Sequence, residues 1–322
     1  MIVGVPKEIK NNEKRVALTP YGADELIQLG HTVYVQENAG IGSGFSSSDY
    51  TSIGAKILPD IEGIYSISDL IVKVKEPQPE EVAMIKENQL VFTFFHFAAD
   101  RDLTQGILDS NCIAIAYETI EAPDGSLPIL IPMSEVAGRM SVQNGAKCLE
   151  GSMGGKGKLL SGVPGVEPAV VTVLGAGIVG YNAAKLAAGL GAQVNILDIN
   201  MSRLRYLDDI MPENVTTLYS NSHNLANSLT YTDLLIGAVL IPGAKAPKLI
   251  KKNMLSTMKP GSVIVDVAVD QGGCVETCRA TTHDIFCADF FSGNRNSPKT
   301  GCFGNFSIPL RICVTSNGLA ER

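Results

Sequence analysis

The stretch from 170 to 198, VVTVLGAGIVGYNAAKLAAGLGAQVNILD, constrains this chain more than any other. A β-branched run from Val170 to Leu174 leads into Gly175-Ala176-Gly177-Ile178-Val179-Gly180, then an alanine-rich helical pattern, then a second apolar run that closes on Asp198. Strand, glycine turn, helix and parallel strand in that order make one crossover unit of an open α/β sheet. Gly175 allows the tight turn, Gly177 lets the backbone approach a pyrophosphate, and Gly180 lets helix and strand pack closely. Ile178 and Val179 open the helix whose N-terminus stabilises phosphate. Asp198 stands 23 residues after Gly175, placed to accept hydrogen bonds from a ribose 2′-hydroxyl. Such an acid repels a 2′-phosphate, so the motif favours NAD over NADP; Arg203, close to Asp198 in sequence, softens that preference.

Elsewhere short apolar runs alternate with helical patterns, which predicts an α/β protein of two domains, each a mainly parallel sheet with flanking helices. MIVGV, HTVYVQ, DLIVKVKEP, QLVFTFF and CIAIAYE read as strands of the first domain. TPYGADELIQLG reads as a helix capped by Thr19 with Pro20 at its first position. A long helical pattern from about Ser134 to Glu150 follows, then a glycine-rich loop that lacks the Gly-Lys-Ser/Thr ending of a P-loop. TDLLIGAVL and GSVIVDVAVD read as two further parallel strands of the second sheet, with Asp270 at such a strand end. The expected domains are 1–129, a substrate domain; 130–304, a Rossmann domain binding the nucleotide; and 305–322, an atypical remainder.

At 322 residues the chain can bury two cores, and a net charge of −7 gives no support to a nucleic-acid or anionic-membrane partner. MIVGVPKEIK lacks the apolar segment of a secretory signal, and no run approaches a bilayer span, so a cytoplasmic location is expected. The seven cysteines are unevenly spaced and no histidine pair accompanies Cys274 and Cys278, so no metal site is expected.

Three groups in the first domain stand out: Arg15 in NNEKRVALTP, Lys75 in VKVKEP and His96 in LVFTFFHFAAD. Each has an ordinary reading. Arg15 suits a surface, Lys73 and Lys75 suit the solvated side of an edge strand, His96 suits a core with a backbone partner, and Asp270 suits a loop cap. Together they suggest one chemistry. A nicotinamide enzyme acting on a small amino or hydroxy acid needs a fixed cation for the carboxylate and an acid/base that works near neutral pH. In a two-domain layout these would face the cofactor across a cleft.

The chain closely resembles the alanine dehydrogenase family over about residues 1 to 284. The likeness is carried by GVPKEIKNNEKRVALTP, GSGF, VKVKEPQPEE, AYETI, PMSEVAGRM, GGKGKLLSGVPGV, LGAGIVGYNAAK, VLIPGAKAPKLI and MKPGSVIVDVAVDQGG. The resemblance implies that L-alanine, NAD and water give pyruvate, ammonium and NADH, reversibly, in a homo-oligomer that is hexameric in relatives. By motif position it implies that Arg15 and Lys75 bind the substrate carboxylate and carbonyl, with Met133 beside the methyl group. His96 would be the acid/base, and Asp270 would assist proton transfer. Ser134, the 175–180 turn, Asp198, Ser220, Val239, Leu240, Val267 and Asp270 would contact NAD. Phe94 stands where many relatives carry tyrosine. After about residue 284 the resemblance is expected to stop, leaving a cysteine-heavy tail. Two other readings follow: an inactive or NAD-binding-only product of a disrupted C-terminus, and the NAD-binding subunit of a proton-translocating transhydrogenase, which shares the GVPKE…RVA opening.

Overall fold

The computed structural model describes residues 1–239, 241, 246–278 and 311–314, with the side chains at 99, 270, 271 and 311–314 excepted. The chain divides into two compact units, the first within Met1–Leu130 and the second from Ile131 onward.

Six short strands build the first unit's sheet: β1 (Ile2–Val5), β2 (Thr32–Gln36), β3 (Lys56–Leu58), β4 (Leu70–Val72), β5 (Leu90–Thr93) and β6 (Ile113–Ala116). Their spatial order is β3-β2-β1-β4-β5-β6, and every pairing is parallel. Helices α1 (Pro20–Gln28), α2 (Ser47–Ser52), α3 (Ile61–Ile67), α4 (Pro79–Val82) and α5 (Arg101–Asp109) fill the crossovers. Their starts are written in the sequence. Thr19 Oγ1 accepts from Gly22 N ahead of Pro20, Ser46 and Asp49 form a reciprocal capping box, and Asp60 and Asp100 cap α3 and α5. Val3, Val5, Val33 and Val35 pack under one face and Ile64, Ile71, Val91 and Phe95 under the other, as a sheet covered by helices on both sides requires.

Two expectations change here. β4 ends at Val72, shorter than DLIVKVKEP suggested, and it lies between β1 and β5 rather than at an edge. Lys73 is therefore not on a solvated face. It is completely buried, with Nζ 2.6 Å from Glu81 Oε1 and 3.2 Å from Glu8 Oε2. The segment that continues from this central strand stays buried, and there a lysine survives only with carboxylate partners.

The second unit opens with α6 (Leu130–Cys148), four residues earlier than the pattern suggested, so Met133 and Ser134 lie in its first turns. Its strands are β7 (Val170–Leu174), β8 (Gln193–Asp198), β9 (Val215–Tyr219), β10 (Leu234–Gly237), β11 (Val263–Asp266) and β12 (Arg311–Val314), in spatial order β12-β11-β10-β7-β8-β9. The helices are α7 (Ile178–Gly189), α8 (Met201–Ile210), α9 (Ser222–Leu229) and the short α10 (Lys252–Leu255). Alanines at 183, 184, 187 and 188 let α7 lie close on the sheet, and Val171, Val173, Ile236 and Val265 complete that core.

β11 stops at Asp266. Residues Val267–Gln271 form a 3-10 helix, so Asp270 is one turn past the strand and not at its end. The cause is Asp266 itself: its carboxylate accepts from Ala268 N at 3.1 Å and Val275 N at 3.0 Å, curling the chain back. Within the tail read as a separate remainder, β12 pairs antiparallel with β11, Asp266 opposite Arg311. Among the described residues no helix is long and apolar enough to cross a membrane.

Candidate active site

In an open parallel sheet, ligands sit beyond the carboxyl ends of the strands, where the strand order reverses. Each unit has such a point, and the candidate residues gather there.

In the second unit the reversal falls between β7 and β10. Gly175 follows β7 with φ +96°, and a Cβ there would stand 2.7 Å from the Ala238 carbonyl oxygen. A Cβ on Gly180 would stand 1.8 Å from the Gly175 oxygen, so the turn and the helix close on each other. Gly177 is different: it is exposed, and a Cβ there would meet nothing within 4 Å. It is the N-cap of α7 and gives no side-chain cap, which leaves the first N–H groups of a 12-residue helix facing that opening. An anion is what such a helix start accommodates. Asp198 closes β8 with both carboxylate oxygens held, Oδ2 accepting from Ala176 N at 2.6 Å and Oδ1 from Asn200 N at 2.8 Å. Arg203 does not pair with it. Its Nε donates to the Ala176 carbonyl at 2.8 Å, and its guanidinium lies 5.7 Å from the Tyr181 ring and 5.1 Å from the Tyr206 ring. The expected charge partnership is replaced by a backbone hydrogen bond because α8 carries Arg203 over the turn.

Ser220 follows β9, its N–H donating to the Asp198 carbonyl at 2.9 Å, while Val239 and Val267 follow β10 and β11. These residues share one rim with the glycine turn. Leu240 lies outside the described residues, as does the Asp270 side chain. Ser134 and Met133 are half-buried on α6, which approaches α7 closely: a Cβ on Gly138 would meet the Val179 oxygen at 2.3 Å, and Arg139 Nε donates to Asn182 Oδ1 at 3.1 Å.

In the first unit the reversal falls between β1 and β4. Arg15 is in the segment after β1, Lys75 three residues after β4, and His96 three residues after β5. The three therefore leave the same sheet edge from adjacent strands. Thr93 Oγ1 donates to the Lys75 carbonyl at 2.9 Å, tying the ends of β4 and β5 together. Glu13, which the sequence reading passed over, is buried and holds Arg15 in a fork: Nε to Oε1 at 2.9 Å and Nη2 to Oε2 at 2.7 Å. Burial pushes the Glu13 carboxyl up, but hydrogen bonds from Arg15 and the charge of Lys75 outweigh it and hold Glu13 below the usual glutamate range. Glu13 thus senses both cations. An open cavity of about 380 Å³ beside Arg15 is lined by Lys7, Glu8, Glu13, Lys14 and Asn38, among others. His96 is half-buried, with its ring parallel to Phe94 at 5.8 Å. Its backbone has φ 54° and ψ 40°. Glu118 was also passed over, although it lies in the quoted AYETI; its carboxylate accepts from His96 N at 2.6 Å.

Comparison with known proteins identifies the family. Residues 4–137 match the family model of the alanine dehydrogenase/PNT N-terminal domain, and residues 141–289 match that of the C-terminal domain. The chain belongs to the alanine dehydrogenase/PNT family. Within the family, this member is 55% identical over 285 residues to the alanine dehydrogenase of Methanococcus maripaludis, covering 88% of this chain and 76% of that one. It is 56% identical over 328 residues to that of Halomonas elongata, covering 99% of this chain and 88% of the other. The match to the Methanococcus relative thus has the extent expected from the sequence, about 284 residues, whereas that to the Halomonas relative runs over nearly the whole chain. A solved L-alanine dehydrogenase superposes with a TM-score of 0.83 at 52% identity, covering 89% of this chain and 79% of that one. A transhydrogenase from Sinorhizobium meliloti gives 0.75 at 25% identity, covering 88% and 83%.

Proposed function

We propose that this family member catalyses the reversible oxidative deamination of L-alanine: alanine, NAD and water give pyruvate, ammonium, NADH and a proton. What carries the reading is the exit of Arg15, Lys75 and His96 from three adjacent strand ends in a chain 50–56% identical to alanine dehydrogenases. Identity with the transhydrogenase structure is half as great, which ranks that reading second.

The nucleotide site fits NAD on its own observations: an open face at Gly177, an uncapped start to α7, and a fixed acid at the end of β8. NAD supplies the acceptor for the hydride that leaves the substrate Cα. Gly175–Gly180 would hold the pyrophosphate and Asp198 the adenosine ribose, with Ser220, Val239 and Val267 on the same rim; Ser134 and Leu240 are assigned by motif position alone. In the first unit, Glu13 fixes the plane of the Arg15 guanidinium, which receives the substrate carboxylate, and Lys75 supplies a second positive charge at the reacting carbon. Loss of hydride leaves the substrate as an iminium. His96 accepts a proton from the water that adds to it and returns one as ammonia departs. By motif position, Asp270 would assist that transfer and Met133 would serve the methyl group. The hexamer belongs to the same proposal and is checked by light scattering on a size-exclusion peak.

The test is NADH consumption with pyruvate and ammonium by a folded, homogeneous sample. Oxidation that needs both co-substrates is expected, and His96→Ala should abolish it while NADH binding persists. A folded protein that binds NADH without turnover would instead establish the NAD-binding-only reading.

A further inference from the structure

Five non-glycine residues have positive φ among the described residues: Asn12, Asn38, Asn88, Asn111 and His96. Four are asparagines, whose short amide tolerates the left-handed region. Histidine visits this region more often than most residues, but His96 lacks that short amide, so the contacts around it decide whether it stays there. Glu118 provides the backbone contact. Its Oε1 accepts from His96 N at 2.6 Å and its Oε2 from Phe95 N at 3.3 Å, so one carboxylate gathers two successive backbone N–H groups. Consecutive N–H groups that converge in this way make a concave anion site, and here the anion is part of the chain.

The clamp is built by the sheet. Thr93 of β5 pairs with Ala116 of β6, and Glu118 sits two residues beyond, in the 3-10 turn Tyr117–Thr119. Tyr117 serves the same end from the ring side. It packs edge-on against Phe92 at 4.2 Å and Phe94 at 4.9 Å, and Phe94 lies parallel to the His96 imidazole. Backbone and ring of His96 are therefore both seated by two consecutive residues from the neighbouring strand's exit.

We infer that Glu118 is a positioning residue that sets the direction of the His96 imidazole by locking its backbone in the left-handed conformation. The inference rests on the proposed role of His96 as the acid/base. Glu118 touches no reacting atom in this scheme; its removal frees the backbone to relax into an ordinary conformation and carries the imidazole away from the water it must deprotonate.

Two measurements separate this inference from that reading. Amide exchange across residues 94–98 reports the clamp without reference to catalysis, and steady-state kinetics reports its consequence. Glu118→Ala should speed exchange in that segment and lower kcat about 10- to 100-fold, the scale of an ångström-level misplacement. KM for pyruvate and affinity for NADH should stay within about threefold, since Arg15, Lys75 and the nucleotide site are untouched. Glu118→Gln keeps an acceptor for the shorter bond and should restore kcat to within about fivefold of the parent, one neutral hydrogen bond being worth about that much. If Glu118→Ala does not fold, Glu118→Asp takes its place: one methylene shorter, it cannot span both N–H groups and should lower kcat about tenfold at unchanged KM. Unchanged kcat in a folded Ala or Asp variant would overturn the inference, as would equal losses in Gln and Ala. Parental turnover by His96→Ala would fail the acid/base reading instead, and faster exchange in Glu118→Ala would still show that the clamp exists.

Discussion

Lys73→Met is the perturbation whose cost the structure states most sharply. Lys73 has no exposed surface, and neither has Glu81; Glu8 is nearly as buried. Methionine fills the same volume, so packing is kept and the charge alone is lost. Two carboxylates are then left side by side in the interior without a cation. Removing one partner of a buried pair costs about 3–5 kcal/mol, or roughly 10–20 °C for a unit of this size. The pH dependence fixes the cause. Burial already pushes the Glu8 carboxyl above its ordinary value of 4.5, against the pull of Lys73 and the Val74 N–H, and without Lys73 it rises further. A carboxyl whose folded value is raised contributes stability below its unfolded value and loses it as the pH rises through the folded value. Lys73→Met should therefore sit nearer the parent at pH 5 than at pH 8. Adding Glu8→Gln and Glu81→Gln should return stability to within about 1 kcal/mol of the parent, because amides keep the bonds from Val74 N and Gln78 N without the charge. Thermal unfolding at a fixed scan rate at both pH values is the assay. A Lys73→Met protein as stable as the parent at pH 8, or a triple variant no better than the single, would refute the reasoning.

Other substitutions follow from the same geometry. Gly177→Ala should leave the melting temperature unchanged yet weaken NADH binding by an order of magnitude or more, since its Cβ meets open space where the pyrophosphate would lie, whereas Gly180→Ala should fail to fold, its Cβ falling 1.8 Å from the Gly175 oxygen; calorimetry and fluorescence titration read the pair. Asp198→Ala should lose far more affinity for NADH than for NADPH, and equal losses would undo the ribose assignment. Asp233 ties the loop before β7 to the start of β10 through Lys156, Lys158 and Val170 N. Burial raises its carboxyl, but those partners hold it below its ordinary 3.8. A depressed carboxyl contributes stability above its unfolded value and loses it as the pH falls toward the folded one. Asp233→Asn should thus cost about 1–3 kcal/mol at pH 7, with the gap from the parent narrowing below pH 3.8, as denaturant midpoints would show.

The nucleotide motif was legible because its demands are local. Gly180 answers to an atom five residues away and Gly175 to one at the end of the neighbouring strand, Gly177 faces open space, and the helix start is a property of the chain itself. The first unit was legible in its residue types and not in its contacts. Whether a lysine among valines meets water or carboxylates depends on which strands flank it, and the place of β4 between β1 and β5 is set by crossovers that no periodicity records. Asp270 was misplaced for a related reason. The apolar run VIVDVAVD continues as a strand should, but the bonds that Asp266 accepts from Ala268 N and Val275 N end it after four residues. Glu13 and Glu118 show the remaining gap. Neither belongs to a motif with a spacing rule; one acts on a cation two residues away and the other on a backbone 22 residues away, and each matters through what it holds. Residues that meet the substrate announce themselves by chemical type, since few side chains can carry a carboxylate or move a proton. Residues that hold those side chains in place need only an acceptor at the right point, and that point exists only once the sheet has formed.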